Sequence, residues 1–237
     1  MAKKVRSLKD IFGAISRRIS YIIHPKKYKT ENGYDAGKYW DERLSKYGFD
    51  LRGVGNIGLS HEANMEAYEE AKTFFREYLK NEGVEIEGRS ILDIGCGTGF
   101  YADVFKNIAR KYVGLDITDA LFEKLHREYP NCDFVKKDVS SEEIEGDFDI
   151  IIMIDVTQHI TNDDRFEFAM QNIKRHLNNG GIFIVTSWLR ERAQKKFYER
   201  FRTIDYYKRE FPDFDFGKPR PFRDKYVFTV KSTSDRD

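Results

Sequence analysis

The apolar and polar positions change rhythm along the chain. Val5, Leu8, Phe12, Ile15, Ile19 and Ile22 recur at steps of three and four, one stripe of an amphipathic helix, with Ile11 and Ile23 beside it. His24-Pro25 predicts its end, because the residue before a proline is pushed out of the helical region. Residues 34–47 (YDAGKYWDERLSKY) predict a short helix, 48–60 a glycine-bearing loop, and 62–79 a longer helix with Met65, Tyr68, Ala71, Phe75, Tyr78 and Leu79 as its apolar positions. From Ser90 onward, apolar runs alternate with helical stretches. Strands are expected at 91–94, 112–116, 132–139 with its exit, 148–155, 180–186 after a Gly-Gly turn, and 226–231. The run at 148–155 is nearly unbroken, as suits a central parallel strand buried on both faces. This order predicts an α/β fold with a doubly wound, mostly parallel sheet. Residues 190–210 predict a basic, aromatic-rich helix or helix pair, and Pro212, Pro219 and Pro221 break the next segment into a loop. The expected division is an arm at 1–29, a helical cap at 30–87 and the α/β domain at 88–237.

The chemistry concentrates where the first strand ends. Ile91-Leu92-Asp93-Ile94 runs into Gly95-Cys96-Gly97-Thr98-Gly99, and 100–109 predicts a helix. Three glycines at alternate positions let the backbone turn sharply and let a ligand lie against it. A strand, a glycine turn and a helix open a nucleotide-binding βαβ unit. The spacing is G-x-G-x-G, unlike the dinucleotide fingerprint, and Asp93 stands two positions before it. A carboxylate there would repel a pyrophosphate and welcome an ammonium or sulfonium. Two further acids stand at strand ends, Asp116 about twenty residues on and Asp138 after the third strand; alone, each reads equally well as a cap or turn residue.

The stretch ILDIGCGTGF closely resembles the first motif of the class I S-adenosylmethionine-dependent methyltransferases, and the resemblance covers roughly residues 88–188. It implies a Rossmann-like fold with S-adenosyl-L-methionine as cofactor. By the same resemblance Asp93, Gly95, Cys96, Gly97 and Gly99 form the turn beneath the cofactor. Asp116 accepts from the ribose hydroxyls, Asp138 from the adenine amino group, and Ile117, Val139 and Asp155 complete the wall. Tyr39-Trp40-Asp41-Glu42-Arg43 resembles the N-terminal cap that small-molecule methyltransferases fold over the cofactor. Trp40 would exclude water, and Arg43 or Arg52 would bind the methionine carboxylate. His159, after the fourth strand, is the candidate catalytic base; the competing reading has it pack and hydrogen-bond beneath the cofactor. Asp163 and Asp164 with Asp155 offer a weaker magnesium site, or a helix start, and no metal is assigned. The Asn/Asp-Pro-Pro-aromatic motif usual in methyltransferases of DNA-base amines is missing, since the position reads Asp155-Val156-Thr157-Gln158. No DNA substrate is expected.

Composition narrows the rest. At 237 residues, 34% charged and 15% aromatic, the chain has room for one α/β core with extensions. Its formal net charge of +1 points to no nucleic acid globally, yet residues 1–29 hold nine Lys/Arg against Asp10, a net +8 that leaves −7 for the remainder. A basic amphipathic arm fits packing on the domain, peripheral contact with anionic lipid, or a targeting sequence. Two cysteines without C-x-x-C spacing fit a reducing cytoplasm, and no apolar run spans a membrane. The function these features favour is methyl transfer to a small-molecule or saccharide-like acceptor, by O-methylation. Trp188, Tyr206 and Tyr207 would stack on sugar faces and Arg190 and Arg192 pair with acidic groups. The competing readings are a protein or RNA acceptor, or a noncatalytic nucleotide-binding module. The oligomeric state is not read from the sequence.

Overall fold

The computed structural model describes residues 26–31, 33–191 and 196–233. The amphipathic stripe of the arm, its end at Pro25 and Arg192 all lie outside the described residues. A two-stranded ribbon, β1 (Lys29–Thr30) and β2 (Gly33–Tyr34), leads into α1 (Ala36–Tyr47). After the 48–60 loop comes α2 (His61–Asn81). Both helices start where sequence chemistry provides an acceptor for an orphan backbone N–H: the Asp35 side chain accepts from Lys38 N, and Ser60 from Ala63 N.

The sheet then assembles from β3 (Ser90–Ile94), β4 (Lys111–Asp116), β5 (Asp133–Lys136), β6 (Phe148–Met153), β7 (Leu177–Ser187), β8 (Phe214–Phe216), β9 (Arg220–Phe222) and β10 (Lys225–Ser232). Between them lie α3 (Ala102–Phe105), α4 (Phe122–Glu128), α5 (Asp163–His176) and α6 (Ile204–Glu210). The strand order is β5-β4-β3-β6-β7-β10-β8, parallel from β5 to β7, with β10 antiparallel to β7. Alternate residues of each central strand feed opposite layers, as the two-residue period requires. Ile91, Ile150, Ile152 and Ile184 pack with α2, α3 and α4 residues such as Phe75, Phe105 and Leu125. Leu92, Ile151, Met153 and Val185 pack with Phe166, Met170 and Ile173 of α5 and with Tyr207 and Phe211. Both faces of the sheet are therefore covered, which explains the continuous apolar run in β6.

Four local expectations change. The helix expected at 100–109 shrinks to one turn, because Ala102 N and Val104 N bond to Gly99 and Tyr101 carbonyls in a chain of turns. The basic helix expected at 190–210 is confined to α6 among the described residues, and 196–203 is irregular. The proline-broken segment is not wholly loop. It supplies β8 and β9, both paired to β10, so β10 is no edge strand. Pro221 is tolerated there because β9 has only one partner. The Gly-Gly turn lies within β7: the register jumps from Phe148↔Leu177 to Ile150↔Ile182, and Gly180 at φ 70° takes up the extra residues.

Candidate active site

The sheet order reverses between β3 and β6, with β4 on one side and β7 on the other, and ligands bind outside the carboxyl ends of strands at such a point. A cleft of about 1160 Å³, counted to its open mouth, lies there. Its floor is the glycine turn. Gly95 N and Cys96 N donate to Leu115 O at 2.6 and 3.1 Å, and Gly97 N donates to the Asp116 carboxylate at 2.8 Å. These bonds sew the first strand's exit to the second. Gly95 (φ 76°) and Gly97 (φ 52°) occupy left-handed backbone, and a Cβ on them would come within 2.2 Å of a Val156 methyl and 2.9 Å of a Val54 methyl. Both valines line the cleft. Gly95→Ala is expected to cost roughly 1–3 kcal/mol of stability through strain and overpacking, read as an earlier urea midpoint with an unchanged slope. Gly99 does something else: it is absent from the cleft wall, and its missing Cβ makes room for Leu125 and Tyr129.

The acids divide. Asp116, 7% exposed, lines the cleft with Ile117. Burial pushes its carboxyl up to about 6, against the pull of the Gly97, Thr118 and Ile117 N–H groups. Asp138 and Val139 also line the cleft. Asp138 accepts from Ser140 Oγ at 2.6 Å and from the Arg165 guanidinium at 2.9 Å. Asp155, at φ 61°, reaches the wall from the end of β6. Burial opposes its charge, but Lys225 at 3.0 Å and Arg223 at 2.8 Å hold its carboxyl below the usual range. Asp93 is not brought to the wall. It points behind the turn, 2% exposed, and accepts from the Tyr112 hydroxyl at 2.6 Å. The attraction to a bound cation expected of it is not a direct contact here. Cys96 lines the cleft as a buried thiol, pushed up by burial and by the Asp116 and Asp93 charges.

The cap closes the cleft with Trp40, Tyr34, Leu44 and Val54. Thr118 Oγ1 donates to Asp41 at 2.6 Å, and the Tyr34 hydroxyl donates to His159 O at 3.0 Å, so cap and sheet are latched at two points. Neither candidate arginine reaches the wall. Arg43 is buried, and its two terminal nitrogens bond to Tyr39 Oη, Arg52 O and Gly55 O, bracing the glycine loop, while its Nε has no hydrogen-bond partner. Arg52 forks onto Asp50. His159 lines the cleft edge-on to Trp40, ring centroids 4.8 Å apart. Its Nδ1 lies 2.8 Å from Tyr198 O, which assigns the proton to Nδ1 and leaves Nε2 as acceptor, 3.3 Å from Gln158 Nε2. Burial lowers its pKa to about 3, so the imidazole is neutral at physiological pH.

The acceptor-side residues expected from the sequence are largely structural. Trp188 stacks on Phe201 at 4.3 Å and donates to Asp224, and Tyr207 is buried with its hydroxyl on Thr157. Asp163 pairs with Arg200 and Arg202 at the start of α5, away from Asp155's own partners. Among the described residues no cluster of three His, Cys, Asp or Glu offers a metal site. No described helix is long and apolar enough to cross a membrane. Tyr68, Tyr101 and Arg165 also line the cleft, three site residues that the sequence does not single out. Tyr68 reads there only as part of an apolar helix stripe, and the others carry no signal beyond their place after the glycines and after Asn162.

Comparison with known proteins bears on the domain and its fold. The model of a family described as "Methyltransferase domain" matches residues 91–181. A dTDP-4-amino-2,3,4,6-tetradeoxy-D-glucose N,N-dimethyltransferase from Saccharopolyspora spinosa is 29% identical over 103 residues, 43% of this chain and 41% of that protein. A ubiquinone biosynthesis O-methyltransferase from Rhodopseudomonas palustris is 32% identical over 81 residues, 32% of each chain. The chain thus spans about a third to two fifths of the length of these relatives. Among solved structures, magnesium protoporphyrin IX methyltransferase from Synechocystis with bound S-adenosylhomocysteine superposes with a TM-score of 0.64 at 12% identity, covering 83% of this chain and 99% of that one.

Proposed function

We propose that this chain, whose residues 91–181 form a class I S-adenosylmethionine-dependent methyltransferase domain, transfers a methyl group from that cofactor to a small-molecule acceptor. One observation carries the reading: two acids from neighbouring strand ends, Asp116 and Asp138, line one cleft together with the glycine turn at 95–98. The residues fit the cofactor. The missing Cβ atoms of Gly95 and Gly97 let the turn pack closely under Val156 and Val54 of the cleft wall, and Asp116 is an acceptor beside it for two ribose hydroxyls. Asp138, fixed by Ser140 and Arg165, would hold the adenine amino group. When bound, S-adenosylmethionine supplies an electrophilic methyl on a cationic sulfur. The protein's part is alignment and exclusion of water, which Trp40, Tyr34 and Val54 serve as a roof.

The finer reading is O-methylation of a hydroxyl on a saccharide-like or other small molecule. His159 Nε2, which accepts from Gln158 Nε2 at 3.3 Å in the unliganded protein, would exchange that bond for the acceptor hydroxyl and take its proton, while Tyr198 O steadies Nδ1–H. The relatives' printed substrates, an amino sugar and a ubiquinone precursor pathway, support small acceptors without choosing the atom. Since its pKa is lowered to about 3, His159 stays in the base form through the whole working range. The plot of kcat/KM should therefore show no limb from this residue between about pH 5 and 8. Because that pKa lies far from neutrality, His159→Gln should reduce kcat by roughly 10- to 100-fold, at or below the ~10²-fold lower bound usual for general bases. A loss under about twofold would remove it from the proton path. The function itself is tested by incubating the protein with methyl-labelled S-adenosylmethionine and fractionated cell extract. S-adenosylhomocysteine release with label in solvent-extractable product supports the reading, and label in protein or RNA rejects the small acceptor.

A further inference from the structure

Neither arginine of the cap lines the cleft to meet the amino-acid end of the cofactor. The two arginines of the cap that the family resemblance would place there are both committed, Arg43 to the 52–55 backbone and Arg52 to Asp50. Tyr101 stands in the opposite condition. It lines the cleft just beyond the glycine turn, 8% exposed, and its buried hydroxyl has no hydrogen-bond partner. Its ring is fixed edge-on between Phe75 at 5.3 Å and Phe100 at 5.8 Å, so the hydroxyl does not turn away to find one. Buried hydroxyls are nearly always bonded in folded proteins, and an exception in a ligand cleft marks a place for a ligand group.

Its surroundings indicate which group. Asp155, Tyr68, Arg223 and, more weakly, Asp93 act electrostatically on the Tyr101 hydroxyl, and Asp155 and Tyr68 line the cleft with it. Arg223 lies over the Tyr68 ring at 4.8 Å and pairs with Asp155. A phenol donor, a cation behind Tyr68 and a carboxylate across from them complement a zwitterion, whose anionic part takes the donor and whose ammonium faces the acid. With Asp116 and Asp138 assigned to the nucleoside half, the amino-acid end of a bound cofactor would be left to the other polar groups of the lining, Tyr101 among them.

Resting on the cofactor reading above, we infer that Tyr101 donates its hydroxyl to the α-carboxylate of the cofactor's methionine part, the role that Arg43 and Arg52 do not fill. Arg43 is then a strut, acting on the ligand only through the loop that carries Val54. Tyr101→Phe removes one oxygen that has no hydrogen-bond partner in the unliganded protein, so folding stability is expected to hold.

The test is calorimetric titration of the full chain, wild type and Tyr101→Phe, with S-adenosylhomocysteine and with 5′-methylthioadenosine, which has the same nucleoside and thioether but no amino-acid end. Tyr101→Phe should weaken S-adenosylhomocysteine roughly tenfold and methylthioadenosine less than about twofold, with an unliganded melting temperature equal to wild type or higher. Unchanged affinity for S-adenosylhomocysteine, or equal weakening of both ligands, overturns the assignment. A lower unliganded melting temperature shows that the hydroxyl already has a structural partner and overturns it too. Wild-type protein that binds neither ligand rejects the cofactor reading itself, a result read before any variant is made.

Discussion

Asp116→Ala is expected to weaken S-adenosylmethionine binding by about 10²- to 10³-fold, the largest loss from any single change in the cleft. Two losses combine. The carboxylate is the acceptor for two ribose hydroxyls, and hydrogen bonds to a charged group contribute about 1.5–3 kcal/mol each. It also receives the Gly97 N–H at 2.8 Å, so its removal unpins the turn on which the ligand lies. Asp116→Asn separates the two. An amide oxygen still accepts from Gly97, but the charge is gone and an N–H₂ faces one hydroxyl, so an intermediate loss of about tenfold is expected. Equilibrium dialysis with labelled cofactor measures both. Equal, small losses in the two variants would mean that the ribose lies elsewhere, and the proposed orientation of the ligand would fall with it. The sign of the pH effect follows from the same burial: with its pKa raised to about 6, Asp116 takes up a proton as pH falls through that value, and affinity should decline below it.

Much of this site is legible in the sequence because strand ends are punctuated. A short strand, Ile91-Leu92-Asp93-Ile94, followed by alternate glycines, and acids at the ends of β4 and β5, are local signals that survive folding unchanged. Rigid sheet geometry then brings Gly95, Gly97, Asp116, Ile117, Asp138, Val139 and Asp155 to one wall. Where long side chains go is not legible in the same way. Arg43 and Arg52 carry the right group at the right place in the chain, but each finds a partner within a dozen residues, Gly55 O for one and Asp50 for the other. Trp188 and Tyr207 look like sugar platforms by residue type, and tertiary packing spends them on Phe201 and on Phe166 and Phe228 instead. Gly99 belongs to the motif by spacing but serves helix packing, a distinction visible only once Leu125 is seen beside it. The 211–222 segment misleads because three prolines suggest loop, whereas short strands at a sheet's rim need few backbone donors.

Asp93 sets the second large effect, and it concerns stability. Its carboxyl is pushed up to about 7, first by burial and further by the Asp116 charge, although the Tyr112 hydroxyl at 2.6 Å offsets part of this. In the unfolded chain the same group ionises near about 4. Below about pH 4 both states hold the proton and the group is neutral in each. As pH rises from about 4 to 7 the unfolded chain gives up the proton while the folded protein keeps it, so stability falls by up to about 1.4 kcal/mol per pH unit from this group alone. Above about 7 the penalty is constant. Asp93→Asn has nothing to ionise, keeps an oxygen for Tyr112 and matches the neutral acid in shape. It should therefore equal wild type near about pH 4 and exceed it by about 2–4 kcal/mol at about pH 8. His159, whose lowered pKa makes stability fall on acidification between about pH 6.5 and 3, is common to both proteins and cancels in the difference. Urea unfolding of the pair at half-unit pH steps yields the difference curve. A difference that does not change with pH, or a variant less stable at the alkaline end, would mean that Asp93 is ionised at little cost and that its charge is used in the folded protein. If the gain is found, the first acid of the motif is a strained buried group behind the turn, and cofactor affinity in Asp93→Asn should stay within about threefold of wild type, since no atom of Asp93 reaches the cleft wall.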